Sequence, residues 1–497
     1  MEPHKLDWAQ TWLQKTKELY IDGRWTSGTA DQTAGSINPA NGETVGHYHV
    51  AADADIDEAA AAARRAFEGN AWRSMSRRER GQRLLRIAEV CREHHAELAT
   101  LEALDTGKTY AEAYNDDIPE VIEFFEYYAG WTNKLYGETC PVEGNFLNYT
   151  LREPIGVCGQ IIPWNFPLLL AAWKLTPALA MANTVVLKPA ESTVLSTVRF
   201  FELVAEAEIL PPGVINLVLG DGRVGSQIAR HPGIDKLSFT GSTETGRSVV
   251  QDAAASNLKA LTLELGGKSP SILFEDVADL EAACRRNAEM IFCHKGEKCT
   301  EPTRLFAHRS IYDEVLAQMI PLAEEIVCGD PFDPATDQGP QCTEQHMERV
   351  LAYIESGKQE GARLVAGGER DVRGSNAAGF FVRPTIFADV DQKMTIAQEE
   401  IFGPVLAVTP FETEDEVVAM ANDSRYGLAA GLWTRDIGRA HRVASRLEAG
   451  SVFINRYGCY DVASPFGGFK QSGWGREKAI HSLDAYTRIK SVWVSME

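Results

Sequence analysis

IGVCGQII at residues 155–162, TVVLK at 184–188, VINLVLG at 214–220, KLSFTG at 236–241 and ALTLEL at 260–265 are short apolar runs at regular intervals. Between them, residues 168–181 and 194–207, and the stretches opening after Arg223 and Ser242, carry helical patterning. Strands alternating with helices of about 10–15 residues predict βαβ units and a parallel sheet. The alternation resumes with SPSILF at 269–274, a helix running to Met290, RLFAH at 304–308 and a helix from Ile311. The sequence therefore predicts an α/β fold with two consecutive Rossmann-like α/β lobes. Upstream, LYIDGRW at 19–25 reads as a small hairpin, and residues 52–67 and 76–104 carry the 3.6-residue spacing of amphipathic helices. LNYTLR at 147–152 and IKSVWVSM at 489–496 read as marginal strands that join into a small discontinuous β segment.

A length of 497 residues exceeds what one hydrophobic core usually serves, about 250–300 residues, so two lobes suit the chain. Forty-nine Lys and Arg against 70 Asp and Glu leave a net charge of −21, a field that repels phosphate backbones and anionic lipid. No nucleic acid or membrane partner is expected. The nine cysteines form no CxxC pair and no disulfide framework, which predicts a reducing, cytoplasmic setting. The opening MEPHKLDWAQTW carries neither a signal-peptide core nor transit-peptide character. The most apolar region, 155–187, contains Asn165, Lys174, Asn183 and several prolines, so it reads as buried core rather than a membrane span.

Several motifs fail on inspection. GDGRVG at 220–225 follows a strand and opens a helix, but the candidate ribose carboxylate, Glu191, lies before it rather than about 20 residues after, so the usual dinucleotide fingerprint is not satisfied. GKT at 107–109 and GKS at 267–269 lack the leading glycine of a phosphate loop, since Glu102 and Thr262 occupy those positions. There is no HExxH and no GxSxG, so neither a metal site nor a serine nucleophile is expected.

FCHKGEKC, at 292–299, is different. Cys299 sits in a charged loop between a helix and a strand, with Lys298 beside it and Lys295 four residues before, a context expected to favour thiolate. ELGGKSP (264–270) places Glu264 at the end of an apolar strand, and IPWNFP (162–167) places Asn165 between prolines at a strand's carboxyl end, where open α/β sheets bind ligands.

PWNFP, KPAEST, FTGSTETG, LELGGKSP, GEKC, EEIFGPV and PFGGFKQSG occur in an order and spacing that resemble the aldehyde dehydrogenase superfamily over nearly the whole chain. Glu264 and Cys299 stand 299 − 264 = 35 residues apart, close to the family separation. The resemblance implies oxidation of an aldehyde to the carboxylic acid with NAD. Cys299 would form a hemithioacetal and then a thioester, Asn165 would hold the oxyanion, and Glu264 would activate the hydrolytic water. It implies a cofactor site formed by Ile162, Pro163, Trp164, Asn165, Lys188, Glu191, Gly222, Gly225, Phe239, Gly241, Ser242, Thr245, Leu265, Glu400 and Phe402. Glu191, accepting ribose hydroxyls and repelling a 2′-phosphate, favours NAD over NADP. Phe166, Trp173, Thr300, Arg456, Tyr460 and Phe466 are the expected substrate pocket, with Arg456 either meeting a substrate carboxylate or pairing with Asp461. His294, Glu297 and Arg456 depart from the residues usual in the family.

Residues 1–134 with 155–266 are the expected NAD-binding domain, 267–475 the catalytic domain, and 135–154 with 476–497 an oligomerisation segment. An exposed strand edge of that kind is a liability unless paired, which predicts a homodimer or homotetramer. Two other readings remain: a CoA-acylating semialdehyde dehydrogenase, disfavoured by Glu264, and a catalytically silent binding protein, disfavoured by the intact Cys299, Glu264 and Asn165.

Overall fold

The computed structural model describes residues 6–497; residues 1–5 of the expected first domain lie outside the described residues. The five runs quoted above form the core of one sheet. They are β1 (Val157–Ile161), β2 (Thr184–Lys188), β3 (Ile215–Leu217), β4 (Lys236–Thr240) and β5 (Ala260–Glu264). Their spatial order is β3-β2-β1-β4-β5, all parallel. The hairpin Leu19–Ile21/Arg24–Thr26 extends one side, and Gly473–Trp474 pairs antiparallel to β5 on the other. Chain order reverses between β1 and β4, so the loops after those two strands frame a crevice.

A second sheet contains β6 (Pro270–Leu273), β7 (Arg304–His308), β8 (Thr385–Ala388), β9 (Val405–Phe411), β10 (Ala429–Trp433) and β11 (Ser451–Ile454). Its order is β8-β9-β7-β6-β10-β11, parallel throughout, with Arg363–Ala366 antiparallel outside β8. Two parallel sheets covered by helices are the expected α/β architecture. The helix Pro167–Ala180 is buried along its whole length, as the core reading of that apolar run requires. Among the described residues no helix is long and apolar enough to cross a membrane.

Two local expectations need correction. The helical pattern over 76–104 is two helices, Arg77–Glu93 and His95–Thr106, broken at His94. Each half packs on a different neighbour, the first on Ile118–Ala129 and the second on Leu195–Glu206, so a straight rod could not satisfy both apolar faces. The boundary expected at 475 cuts through the first sheet, because Gly473–Trp474 already pairs with β5. The chain returns from the second lobe before that point, and Phe466, Leu483 and Tyr486 pack in the first lobe's core.

The discontinuous segment forms as a third sheet. Thr487–Ser495 pairs antiparallel over nine residues with Phe146–Pro154, which also pairs with Thr139–Cys140. Ile489, Trp493, Phe146 and Leu151 are exposed on it.

Candidate active site

A cavity of about 850 Å³ lies where the carboxyl ends of the first sheet's strands meet the second lobe. Asn165, Glu264 and Cys299 all line it. Glu264 is the last residue of β5. The two glycines that follow are sterically required. A Cβ on Gly266 would lie 2.2 Å from the Glu400 carboxylate, and one on Gly267 would lie 2.1 Å from the Cys299 carbonyl oxygen. Deleting both side chains lets β5 deliver Glu264 against the cysteine loop. That loop is a short 3-10 turn with left-handed backbone at His294, Lys295 and Gly296. A Cβ on Gly296 would overlap the Gly403 backbone, so the tight turn is wedged against the loop that carries Glu400 and Phe402.

Asn165 follows β1 through Pro163 and Trp164. Its Nδ2 donates to the Glu297 carbonyl at 2.7 Å, which fixes the amide and leaves its second N–H for another acceptor. His294 stacks on Phe166 with ring centroids 4.3 Å apart, and its Nε2 lies 2.8 Å from the Asn165 carbonyl. Burial, helped by Lys108, Lys295 and Lys298, holds the His294 pKa well below the usual range, so the ring is neutral and donates this bond. The unusual His294 thus braces the asparagine through its ring, whereas Glu297 does so through its backbone carbonyl and turns its carboxylate to Lys295 and the Cys342 N–H.

The lysines do not do what their sequence position predicts. Lys298 Nζ donates to Cys293 Sγ at 2.8 Å, and Lys295 Nζ donates to the Thr106 carbonyl at 2.6 Å and pairs with Glu297 at 2.7 Å. The left-handed turn aims both ammonium groups away from Cys299. Burial pushes the Cys299 thiol up, and the nearby Glu400, Glu264 and Glu301 carboxyls push it further, while its own backbone N–H favours the thiolate. The expectation of lysine-held thiolate is therefore corrected.

Glu264 is buried, and its Oε2 has no hydrogen-bond partner. Burial first, then the charge of Glu477, raises its pKa well above the carboxylate range; Lys174 and Arg476 oppose the rise. Glu477 accepts hydrogen bonds from Lys174 Nζ and from Ser238 Oγ, and Lys174 Nζ also donates to Thr240 Oγ1 at 2.7 Å. Sequence reading did not single out Glu477 or Lys174 for this role. The available signal was a lone lysine inside the apolar run 168–181, since a buried cation demands a partner.

The expected cofactor residues occupy the rim of the first sheet. Pro163, Trp164, Asn165, Gly241, Ser242, Leu265, Glu400 and Phe402 line the cavity. Ser242 caps the helix Thr243–Ala254 by accepting from Thr245 N–H, leaving an N-terminus at the crevice. Phe239 lies over Gly241, where a Cβ would come within 2.6 Å of its ring, and Leu265 packs on Gly246 in the same way. Glu400 accepts from Gly267 N–H at 2.8 Å, and Phe402 meets Trp164 edge to face. Further along the rim, a Cβ at Gly225 would lie 3.8 Å from the Lys188 side chain, and Gly222 faces open space. Lys188 lies 3.7 Å from the half-exposed Glu191 carboxylate. Ile162 is buried, its N–H donating to the Lys188 carbonyl, so it supports the rim without facing the cavity. This glycine-punctuated crevice, a helix N-terminus at one part and a carboxylate at another, fits a dinucleotide. Among the described residues no cluster of His, Cys, Asp or Glu is arranged to hold a metal.

Of the expected substrate residues, Phe166, Trp173, Thr300, Tyr460 and Phe466 line the cavity. Arg456 does not. It is exposed on a neighbouring depression with Arg285, and Arg286 and Glu289 line both that depression and the cavity; Asp461 accepts instead from Ala463 N–H. Arg456 neither lines the cavity nor pairs with Asp461, because the turn after β11 leaves it exposed beyond Arg286 and Glu289.

The model of the aldehyde dehydrogenase family matches residues 25–492. Human retinal dehydrogenase 2 is 46% identical over 97% of this chain and 92% of its own, and human mitochondrial aldehyde dehydrogenase is 45% identical over 96% and 92%. The structure of the NAD+ complex of an aldehyde dehydrogenase from Bacillus cereus superposes with a TM-score of 0.96 at 45% identity, covering 99% of each chain. With the predicted cysteine, glutamate and asparagine gathered on one cavity, these likenesses establish that the chain belongs to the aldehyde dehydrogenase family.

Proposed function

We propose that Cys299, Glu264 and Asn165 carry this chain's oxidation of an aldehyde to the carboxylic acid with NAD. The observation that carries the reading is the convergence of all three on one cavity beside a crevice shaped for a dinucleotide. The Cys299 sulfur, once deprotonated, attacks the aldehyde carbon and forms a hemithioacetal. The second N–H of Asn165 and the Cys299 backbone N–H hold the oxygen as its charge develops. NAD held in the crevice would supply the hydride acceptor for oxidation of this adduct to a thioester. Glu264 then takes a proton from water, the water attacks the thioester carbon, and the acid leaves with Cys299 restored. The raised pKa of Glu264 makes its carboxylate a stronger base than an ordinary glutamate, at the cost of ionising later.

Lys188 and Glu191 are assigned to the adenosine ribose, Gly241 and Ser242 to the pyrophosphate, and Glu400 and Phe402 to the nicotinamide end. A thioester passed to CoA would not need a base at position 264, so the Glu264 carboxyl in the cavity favours hydrolysis. The test is NADH formation with an aldehyde panel, with and without CoA. Free acid with no CoA dependence is expected; acyl-CoA as the product would replace this reading with the acylating one.

The third sheet supports a homodimer or a dimer of dimers, because its nine-residue strand and exposed Ile489, Trp493 and Phe146 present an edge suited to pairing. A single-chain mass by sedimentation at micromolar concentration would refute it. All nine cysteines are unpaired, which supports a reducing compartment such as the cytoplasm.

A further inference from the structure

We infer that Lys478 sets the charge of the aldehydes this cavity accepts: neutral apolar or aromatic aldehydes are taken, and aldehydes carrying an alkylammonium group are rejected. The inference rests on the proposed active site and adds a specificity residue to it.

Lys478 follows Glu477, but the two side chains go to different parts of the cavity. Glu477 joins Lys174 near Glu264, whereas left-handed backbone at Lys478 and Ala479 turns the next side chain toward the aromatic wall. Hydrogen bonds from Ala479 N–H to the Val462 carbonyl and from Tyr128 Oη to the Ala479 carbonyl, both 2.8 Å, hold that turn. The Lys478 side chain is 1% exposed. Its Nζ lies 4.6 Å from the Trp173 ring centroid, 5.5 Å from Phe124 and 5.7 Å from Tyr460, with Glu120 Oε1 at 3.1 Å. Trp173, Tyr460, Glu120 and Lys478 all line the cavity.

Converging aromatic faces with a nearby carboxylate form the arrangement that recognises a substrate ammonium group. Here the protein's own ammonium already occupies it. A second cation entering the cavity finds the ring faces taken, the carboxylate paired and a like charge a few ångströms away. A neutral aliphatic or aromatic chain lying along this wall meets apolar ring edges, since Trp173 and Phe466, and Tyr460 and Phe466, pack edge to face there. Asp116, exposed at the mouth, draws cations toward the entrance but does not reach the occupied box. Replacing Lys478 by a neutral side chain would free the ring faces and unpair Glu120 together, turning the wall into an ammonium site.

The test uses two isosteres that differ only in charge, 4-trimethylammoniobutanal and 5,5-dimethylhexanal, with NAD. The wild-type protein is expected to favour the neutral aldehyde in kcat/KM by about tenfold or more, and Lys478→Met to move that ratio toward the cation by a similar factor. Lys478→Arg, which keeps the charge, should retain the wild-type order. Should the methionine variant fold poorly, the wild-type protein still answers: 3,3-dimethylbutanol should compete with the neutral aldehyde, and its cationic isostere choline should not. Equal turnover of both aldehydes by the wild-type protein, or a ratio unmoved in an active Lys478→Met, would overturn the role of Lys478 alone. Absence of NADH formation with every aldehyde tried would overturn the active-site reading beneath it.

Discussion

The cofactor crevice and the reaction chamber share one cavity, yet they treat polar groups in opposite ways. Along the crevice the groups have partners: Ser242 with Thr245, Glu400 with Gly267, and Lys188 with the Pro189 carbonyl. In the chamber, Glu264 Oε2 and Glu477 Oε2 have none. Burial and the charge of Glu477 raise Glu264 well above its ordinary range. A binding surface gains from rigid, satisfied donors, whereas proton transfer needs groups whose charge the protein withholds until the reaction calls on it.

That contrast can be broken most forcefully at Glu264. Glu264→Gln should lower steady-state turnover by about 10²–10⁴-fold, leaving a rapid burst of NADH and a thioester on Cys299. Cys299→Ser, by comparison, should give no burst. Because no lysine supports the Cys299 thiolate, the burst rate is itself informative. A burst as fast as wild type confines Glu264 to deacylation, and a slowed burst, measured by rapid mixing with NAD bound, would give it the thiol proton as well. The wild-type deacylation rate should rise with pH above the ordinary carboxylate range, since only ionised Glu264 is a base and its pKa is raised. A rate already flat from pH 5 upward would contradict the withheld charge.

A smaller effect is expected where the two regions meet. Asn165→Ala should cost roughly 10²–10³-fold in kcat, the usual penalty for losing one oxyanion donor, with little change in NAD affinity by titration. A large loss of NAD affinity would place Asn165 on the crevice side of the comparison. The smallest effect belongs to the crevice itself. Glu191→Gln should narrow the preference for NAD over NADP several-fold in kcat/KM, as expected for one half-exposed charge. A wild-type preference for NADP would remove Glu191 from this role.

The two parallel-sheet lobes, and the gathering of Cys299, Glu264 and Asn165 on one cavity, were legible because they rest on local signals: apolar runs between helices, glycines after Glu264, and an asparagine between prolines. The errors came where direction mattered more than proximity. Lys298 is adjacent to Cys299 in sequence, but three consecutive left-handed residues, 294–296, turn it to Cys293. Arg456 lies near Tyr460 in sequence, yet Tyr460 lines the cavity and Arg456 only the neighbouring depression. Glu477 and Lys174 meet across about 300 residues, and no short window of sequence carries that pairing.

The long third sheet has a consequence for synthesis of the chain. Thr487 pairs with Pro154 and Ser495 with Phe146, so one partner emerges from the ribosome long before the other. Both parallel sheets can close in the interval, while Phe146–Pro154 waits with an unpaired edge carrying Phe146, Leu147 and Leu151. Chains truncated before Thr487 would keep that edge permanently open, an unpaired apolar strand of the kind that chaperones cover.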